Sequence, residues 1–112
     1  MSADSLAKTF STADPDDSPD AAASEALRRR VACYSIRAAA DPGLMSRVLE
    51  TFAKRGLVPD RWHSDLVGEA RDELSIDLQV TGLDPHTSGF IAARLRQIWG
   101  VEAVLTSEKS AA

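Results

Sequence analysis

Few side chains in this 112-residue sequence are of a type and spacing that could do chemistry. Cys33 is the single cysteine, so no intramolecular disulfide can form. No His–Asn or His–Asp set accompanies it, and it reads as a small buried hydrophobe in a strand rather than a nucleophile. His63 and His86 fall in different predicted elements, without the carboxylate or thiol cluster that a metal site requires. No Ser-His-Asp set, glycine-rich phosphate loop or paired-carboxylate site stands out, so no catalytic residue, metal or cofactor is assigned. The triplet Arg28-Arg29-Arg30 could meet a phosphate, but it reads as a solvated approach to a strand. What remains is a backbone feature in Ala40-Asp41-Pro42-Gly43-Leu44-Met45. Asp41 suits a helix N-cap, where its carboxylate accepts free N–H groups of the first turn. Pro42 suits the first helical position. Gly43 is a poor helix former there, and its lack of a side chain would let something approach the backbone.

The charge balance narrows the partners. A net charge of -4 and a sequence pI near 5.1 argue against nucleic acid or an anionic membrane surface, both of which need a basic footprint. No apolar run approaches the roughly 18 residues of a membrane span. The N-terminus carries Asp4, Asp14, Asp16, Asp17 and Asp20 and no apolar core, which is unlike a secretory signal. With one cysteine, this fits the reducing cytoplasm.

The elements that must position the Asp41–Met45 stretch follow from periodicity. Residues 1–27 are rich in Ser, Ala, Asp and Pro and read as a disordered tail, although the good helix formers across Ala21–Arg29 permit a short helix. The folded domain is expected over 28–107, with 108–112 as a C-terminal tail. Val31–Ala38 has the β character of a central strand. The helix 42–55 carries an apolar face of Leu44, Met45, Val48, Leu49 and Phe52. Its end is favoured by Lys54 and Arg55 and stopped by Gly56. Leu57–Val67 reads as a second strand, starting after Pro59, with Trp62, Ser64 and Leu66 on one face and Arg61, His63 and Asp65 on the other.

Glu73–Thr81 alternates without a break: Leu74, Ile76, Leu78 and Val80 against Ser75, Asp77, Gln79 and Thr81. Asp84-Pro85 opens a second helix, striped by Phe90, Ile91, Leu95 and Ile98, and Gly100 closes it. Val101–Leu105 is a final short strand, and 106–112 a polar tail. The order β-α-β, turn, β-α-β leads to an α+β, ferredoxin-like sandwich: a four-stranded antiparallel sheet with both helices on one face. The Leu74 set should face the helices and the Ser75 set the open side. That open side lacks the aromatics by which RNA-recognition sheets stack bases.

Residues 31–106 resemble an ACT domain, and in particular the ACT module of the small, regulatory subunit of acetolactate (acetohydroxyacid) synthase. The likeness lies in Asp41-Pro42-Gly43, Ser46-Arg47-Val48, Phe52 and Arg55-Gly56, and later in Leu95, Ile98, Gly100-Val101 and Val104. The resemblance implies a homodimer with an amino acid effector at its interface, beside the loop before the first helix of the module. The effector carboxylate would meet the N–H groups of Gly43, Leu44 and Met45, near Asp41, aided by the helix dipole. Small subunits that bind valine carry asparagines at two flanking positions, which here are Ala40 and Val58. The resemblance therefore implies a small subunit that activates or stabilises a catalytic large subunit in branched-chain amino acid biosynthesis, with valine sensing weakened or absent. The alternative is a stand-alone homodimeric sensor of an amino acid or other small metabolite.

Overall fold

The computed structural model describes residues 19–111. In chain order these form α1 (Pro19–Arg29), β1 (Arg30–Ala39), α2 (Leu44–Ala53), β2 (Arg61–Val67), β3 (Glu73–Thr81), α3 (Pro85–Arg96) and β4 (Val101–Ser110). The strands make one antiparallel sheet in the order β2-β3-β1-β4, the ferredoxin-like topology expected from the two β-α-β units. The Leu74–Val80 alternation places its apolar half against the helices, where Leu74, Ile76, Leu78 and Val80 are all buried. From above, Leu44, Val48 and Phe52 of α2 and Ile91, Ala92 and Leu95 of α3 close the core.

The first 18 residues of the expected tail lie outside the described residues; from Pro19 the chain is helical, two residues ahead of the permitted start. None of residues 20–29 is buried, so α1 does not contribute to the core. Its Glu25 pairs with Arg28 and Arg29 on the solvent side. Arg30 departs from the solvated role expected for the triplet. It is half-buried, its Nη1 donates to the Leu83 carbonyl at 2.5 Å, and its Nε pairs with Glu108. It thereby ties the start of β1 to the loop before α3 and to the end of β4.

The strand boundaries differ from expectation mainly at the C-terminal end. The final strand is twice as long as expected: residues 106–110 continue the ladder with β1, Thr106 opposite Tyr34 and Ser110 opposite Arg30. Polar residues suffice there because β1 supplies the partner groups and the outer side is wet. The second strand begins at Arg61, one residue beyond the start expected after Pro59, and residues 57–60 serve as the connection after α2. Gly56 and Gly100 take φ of 71° and 98°, the left-handed turns expected to stop the two helices.

The start of α3 is as expected: Asp84 is the N-cap, its Oδ1 accepts from the Thr87 N–H at 2.6 Å, and Pro85 follows. That hydrogen bond holds the Asp84 carboxyl below its ordinary value. The cap is therefore at full strength above the ordinary carboxylate range and is lost as the pH falls through the lowered value. Asp84→Ala is expected to lower the melting temperature at neutral pH and to flatten the acid limb of stability. A calorimetric series from about pH 7 to about pH 2 on both chains checks this.

Candidate functional site

The junction between β1 and α2 is built from its own hydrogen bonds. Ala39 N–H donates to the Gly100 carbonyl at 2.8 Å and Ala40 N–H to the Asp72 carbonyl at 3.1 Å, which anchors the loop on both sides. Leu44 N–H then donates to the Asp41 carbonyl at 3.0 Å and closes a tight turn over Pro42 and Gly43. The helix starts at Leu44, two residues later than expected, with Gly43 as its N-cap and no side-chain cap bond.

Asp41 does not cap the helix in the expected way. Its Oδ2 accepts from the Gly43 N–H at 3.0 Å, two residues on, and pairs with Arg47 Nη2 at 3.1 Å. This local Asx-type turn competes with the longer reach to the first helical turn. Arg47, to which no role was assigned from the sequence, holds the carboxylate in that place. It stands six residues after Asp41, outside the i,i+3 and i,i+4 spacings by which charge pairs are read from a sequence.

The three N–H groups expected to receive an effector carboxylate are thus differently placed. Those of Gly43 and Leu44 are engaged within the turn, and Met45 alone of the three has no partner in the loop among the described residues. Gly43 has a φ of -89°, a conformation open to any residue, so the turn itself does not require glycine. A Cβ there would lie 3.2 Å from Arg47 Nη2 and 3.4 Å from Asp41 Oδ2, crowding the ion pair rather than the backbone. The Leu44 side chain is fully buried in the core and Gly100 packs against it.

The remaining expected site residues divide between two clefts that share Met45. One, of about 280 Å³, is lined by Ala40, Asp41, Pro42, Met45, Leu66 and Leu74, with Ser64 and Asp65. The other, of about 420 Å³, is lined by Met45, Ser46, Leu49, Val58, Pro59 and Trp62 and is largely apolar. Met45 and Leu49 were expected to pack on the sheet. They are 40% and 44% exposed, because the sheet ends at β2 and α2 overhangs it. Val58 is 81% exposed beside them.

The open side of the sheet forms a shallow hollow of about 390 Å³ around Cys33, Ser35, Arg61, His63, Asp77 and Gln79. Asp77 and Gln79 were expected on this side. His63 Nε2 lies 2.8 Å from Asp65 Oδ2 along the strand. Among the described residues no three His, Cys, Asp or Glu side chains converge on a metal position. Among them, too, no helix is long and apolar enough to cross a membrane. On the outer surface Arg55 stacks over the Phe90 ring at 4.6 Å, so Phe90 sits at the margin of α3 rather than in the expected buried stripe.

A βαββαβ sandwich with an intricately bonded β1–α2 turn and an apolar margin defines the class, a ferredoxin-like module of the ACT type. Residues 25–112 match the family model described as the ACT-like domain, and the chain belongs to that family, one of regulatory modules. No curated protein matches it in sequence. Solved structures share the fold. The ACT domain of GTP pyrophosphokinase from Chlorobium tepidum aligns with a TM-score of 0.58 at 13% identity, covering 69% of this chain and 96% of that one. The C-terminal domain of the MgtC protein from Mycobacterium tuberculosis gives 0.58 at 13%, over 74% and 90%. The regulatory subunit of aspartate kinase from Thermus flavus gives 0.56 at 15%, over 70% of this chain and 50% of that one, so this chain spans about half of that subunit.

Proposed function

We propose that this chain is a non-catalytic, cytoplasmic regulatory subunit. In this reading it forms a homodimer and activates or stabilises the catalytic large subunit of an acetolactate synthase in branched-chain amino acid biosynthesis, with valine sensing weak or absent. The observation that carries the reading is the place taken by Asp41. Its carboxylate accepts from Gly43 N–H and pairs with Arg47, which is the place an effector carboxylate would need. Ala40 and Val58 bring no polar side chain to either cleft. An effector at Gly43, Leu44 and Met45 would have to displace a charged side chain that is already paired. The uncovered apolar surface at Met45, Leu49 and Val58 supports action by protein contact. Co-expression with acetolactate synthase large subunits tests this: the chain should co-purify with one and raise or preserve its activity. Neither effect with any large subunit would sink the reading.

The second reading, a stand-alone homodimeric sensor, draws on the cleft of about 420 Å³ beside Met45, which is large enough for an apolar side chain. Thermal shift against the amino acids separates the two. A ligand at about 100 times its dissociation constant should stabilise the fold by roughly 2.7 kcal/mol, whereas the subunit reading expects no shift.

A further inference from the structure

We propose that residues 5–11 of this chain return to the cleft beside Met45 and seat Leu6 and Phe10 in it, so that the chain covers its own apolar margin until a partner displaces the segment. This rests on the preceding reading, since it regulates the surface by which that reading has the chain meet its large subunit. The cleft of about 420 Å³ between α2 and β2 has a largely apolar lining. Met45, Leu49 and Val58 are exposed along it, and Trp62 is half-buried on its β2 side. An apolar strip of this kind is stabilised by a cover.

The occupant follows from sequence, reach and charge. Within residues 1–18 the large apolar side chains after Met1 are Leu6 and Phe10, four positions apart. Residues at that spacing share a helix face, and the pair matches Met45 and Leu49, which stand four apart on α2. Laid parallel to α2, Leu6 falls beside Met45, and Phe10 beside Leu49 and Val58. The chain then leaves the cleft at the end where it must rejoin α1. Gly82 N–H donates to the Arg30 carbonyl at 2.8 Å, and Thr81 N–H to Asp60 Oδ2 at 2.5 Å. The root of α1 and the Val58 loop therefore lie at one end of the sheet. The 11 residues of α1 cover about 16 Å. Residues 11–18 can span up to about 26–29 Å, enough to double back past α1 to the cleft. Asp14, Asp16 and Asp17 fall in that stretch without a cation. Lys54 and Arg55 at the end of α2, and Arg61 at the start of β2, are exposed and in no ion pair among the described residues. The acidic stretch thus passes an unneutralised basic end of the molecule. A tether this short holds the segment near millimolar effective concentration, so a modest fit keeps the cleft occupied.

The test uses the full chain with the exposed Trp99 changed to Phe, which leaves Trp62 as the single tryptophan. Leu6→Ser with Phe10→Ser should shift Trp62 emission to the red and make it about twofold more open to acrylamide quenching, while Phe10→Leu keeps the parent's values. A second arm uses a Cys33→Ser background under mild oxidation. Ser11→Cys with Val58→Cys is expected to cross-link within one chain and nearly completely. Ser11→Cys with Leu105→Cys, on the open side of the sheet, should not cross-link. Where a large subunit binds, the double serine variant should bind it with a dissociation constant about tenfold lower than the parent's. Unchanged Trp62 emission and quenching in that variant, equal cross-linking of the two cysteine pairs, or equal affinity for the large subunit would overturn the proposal. A disulfide between two chains would assign the cleft to the segment of a neighbouring copy and overturn it likewise. A chain that passes the emission and cross-linking arms but meets no large subunit would sink the functional reading and leave the seat standing. A chain that meets one while Trp62 stays unmoved would do the reverse.

Discussion

Phe52→Ala is expected to lower the unfolding free energy by about 3–5 kcal/mol. Phe52 is fully buried at the last turn of α2, and its ring meets Tyr34 edge-on, with centroids 5.6 Å apart and planes at 76°. Truncation removes the transfer energy of the ring, leaves a cavity in a core with sheet on one side and two helices on the other, and loses the aromatic pair. A domain of this size holds roughly 5–15 kcal/mol in total, so the variant will be near its unfolding threshold at growth temperature. Urea denaturation followed by circular dichroism checks it. A midpoint lowered by less than the equivalent of about 1 kcal/mol would mean that the core relaxes around the gap. Phe52→Leu, which keeps most of the volume, should cost about half as much or less.

The second large effect appears in alkali. Burial pushes the Tyr34 hydroxyl up to about 12 from its ordinary 10, against a smaller opposing pull from the Arg30 guanidinium. Its O–H donates to the Ser88 carbonyl at 2.9 Å, 54 residues along the chain, so the neutral form is the one the fold holds. The sign follows from proton binding. Between about pH 10 and 12 the folded chain keeps this proton while the unfolded chain loses it. The contribution of the protonated Tyr34 to stability is therefore fully present and independent of pH below that window, and is lost as the pH rises through it, by roughly 3 kcal/mol across the whole interval. Tyr34→Phe should be less stable at neutral pH, since the Ser88 carbonyl loses its donor. It should also lose this part of the alkaline decline. Denaturant melts at intervals above about pH 9 on both chains measure the difference. Parallel slopes would show that another group governs the alkaline limb.

Much of the fold was legible in local pattern. The unbroken alternation of 73–81 gave the central strand and its buried face. Asp84-Pro85 set the start of α3, because N-capping is one-residue chemistry, whereas the helix ends at Arg96, ahead of the left-handed Gly100. The candidate site was legible only in outline. The stretch Ala40–Met45 drew attention through Asp41, Pro42 and Gly43, and these do form the β1–α2 turn. Which atoms they leave free was not legible. A carboxylate can serve the third N–H ahead, the second, or a guanidinium, and here Arg47 and the tight turn selected the second.

By itself, then, the sequence determined the order of elements, the antiparallel sandwich and the position of the turn, since each depends on hydrogen bonds and side-chain alternation between near neighbours. The tertiary structure decided what those elements leave over. Arg30 became a clasp on Leu83, 53 residues away, and β4 doubled in length along β1. Met45 and Leu49 of the apolar face of α2 were left beyond the margin of the sheet because β2 is the last strand. Met45, Leu49 and Leu66 occupy ordinary core-like positions in their own helix and strand. Only the width of the sheet beneath them makes them a surface.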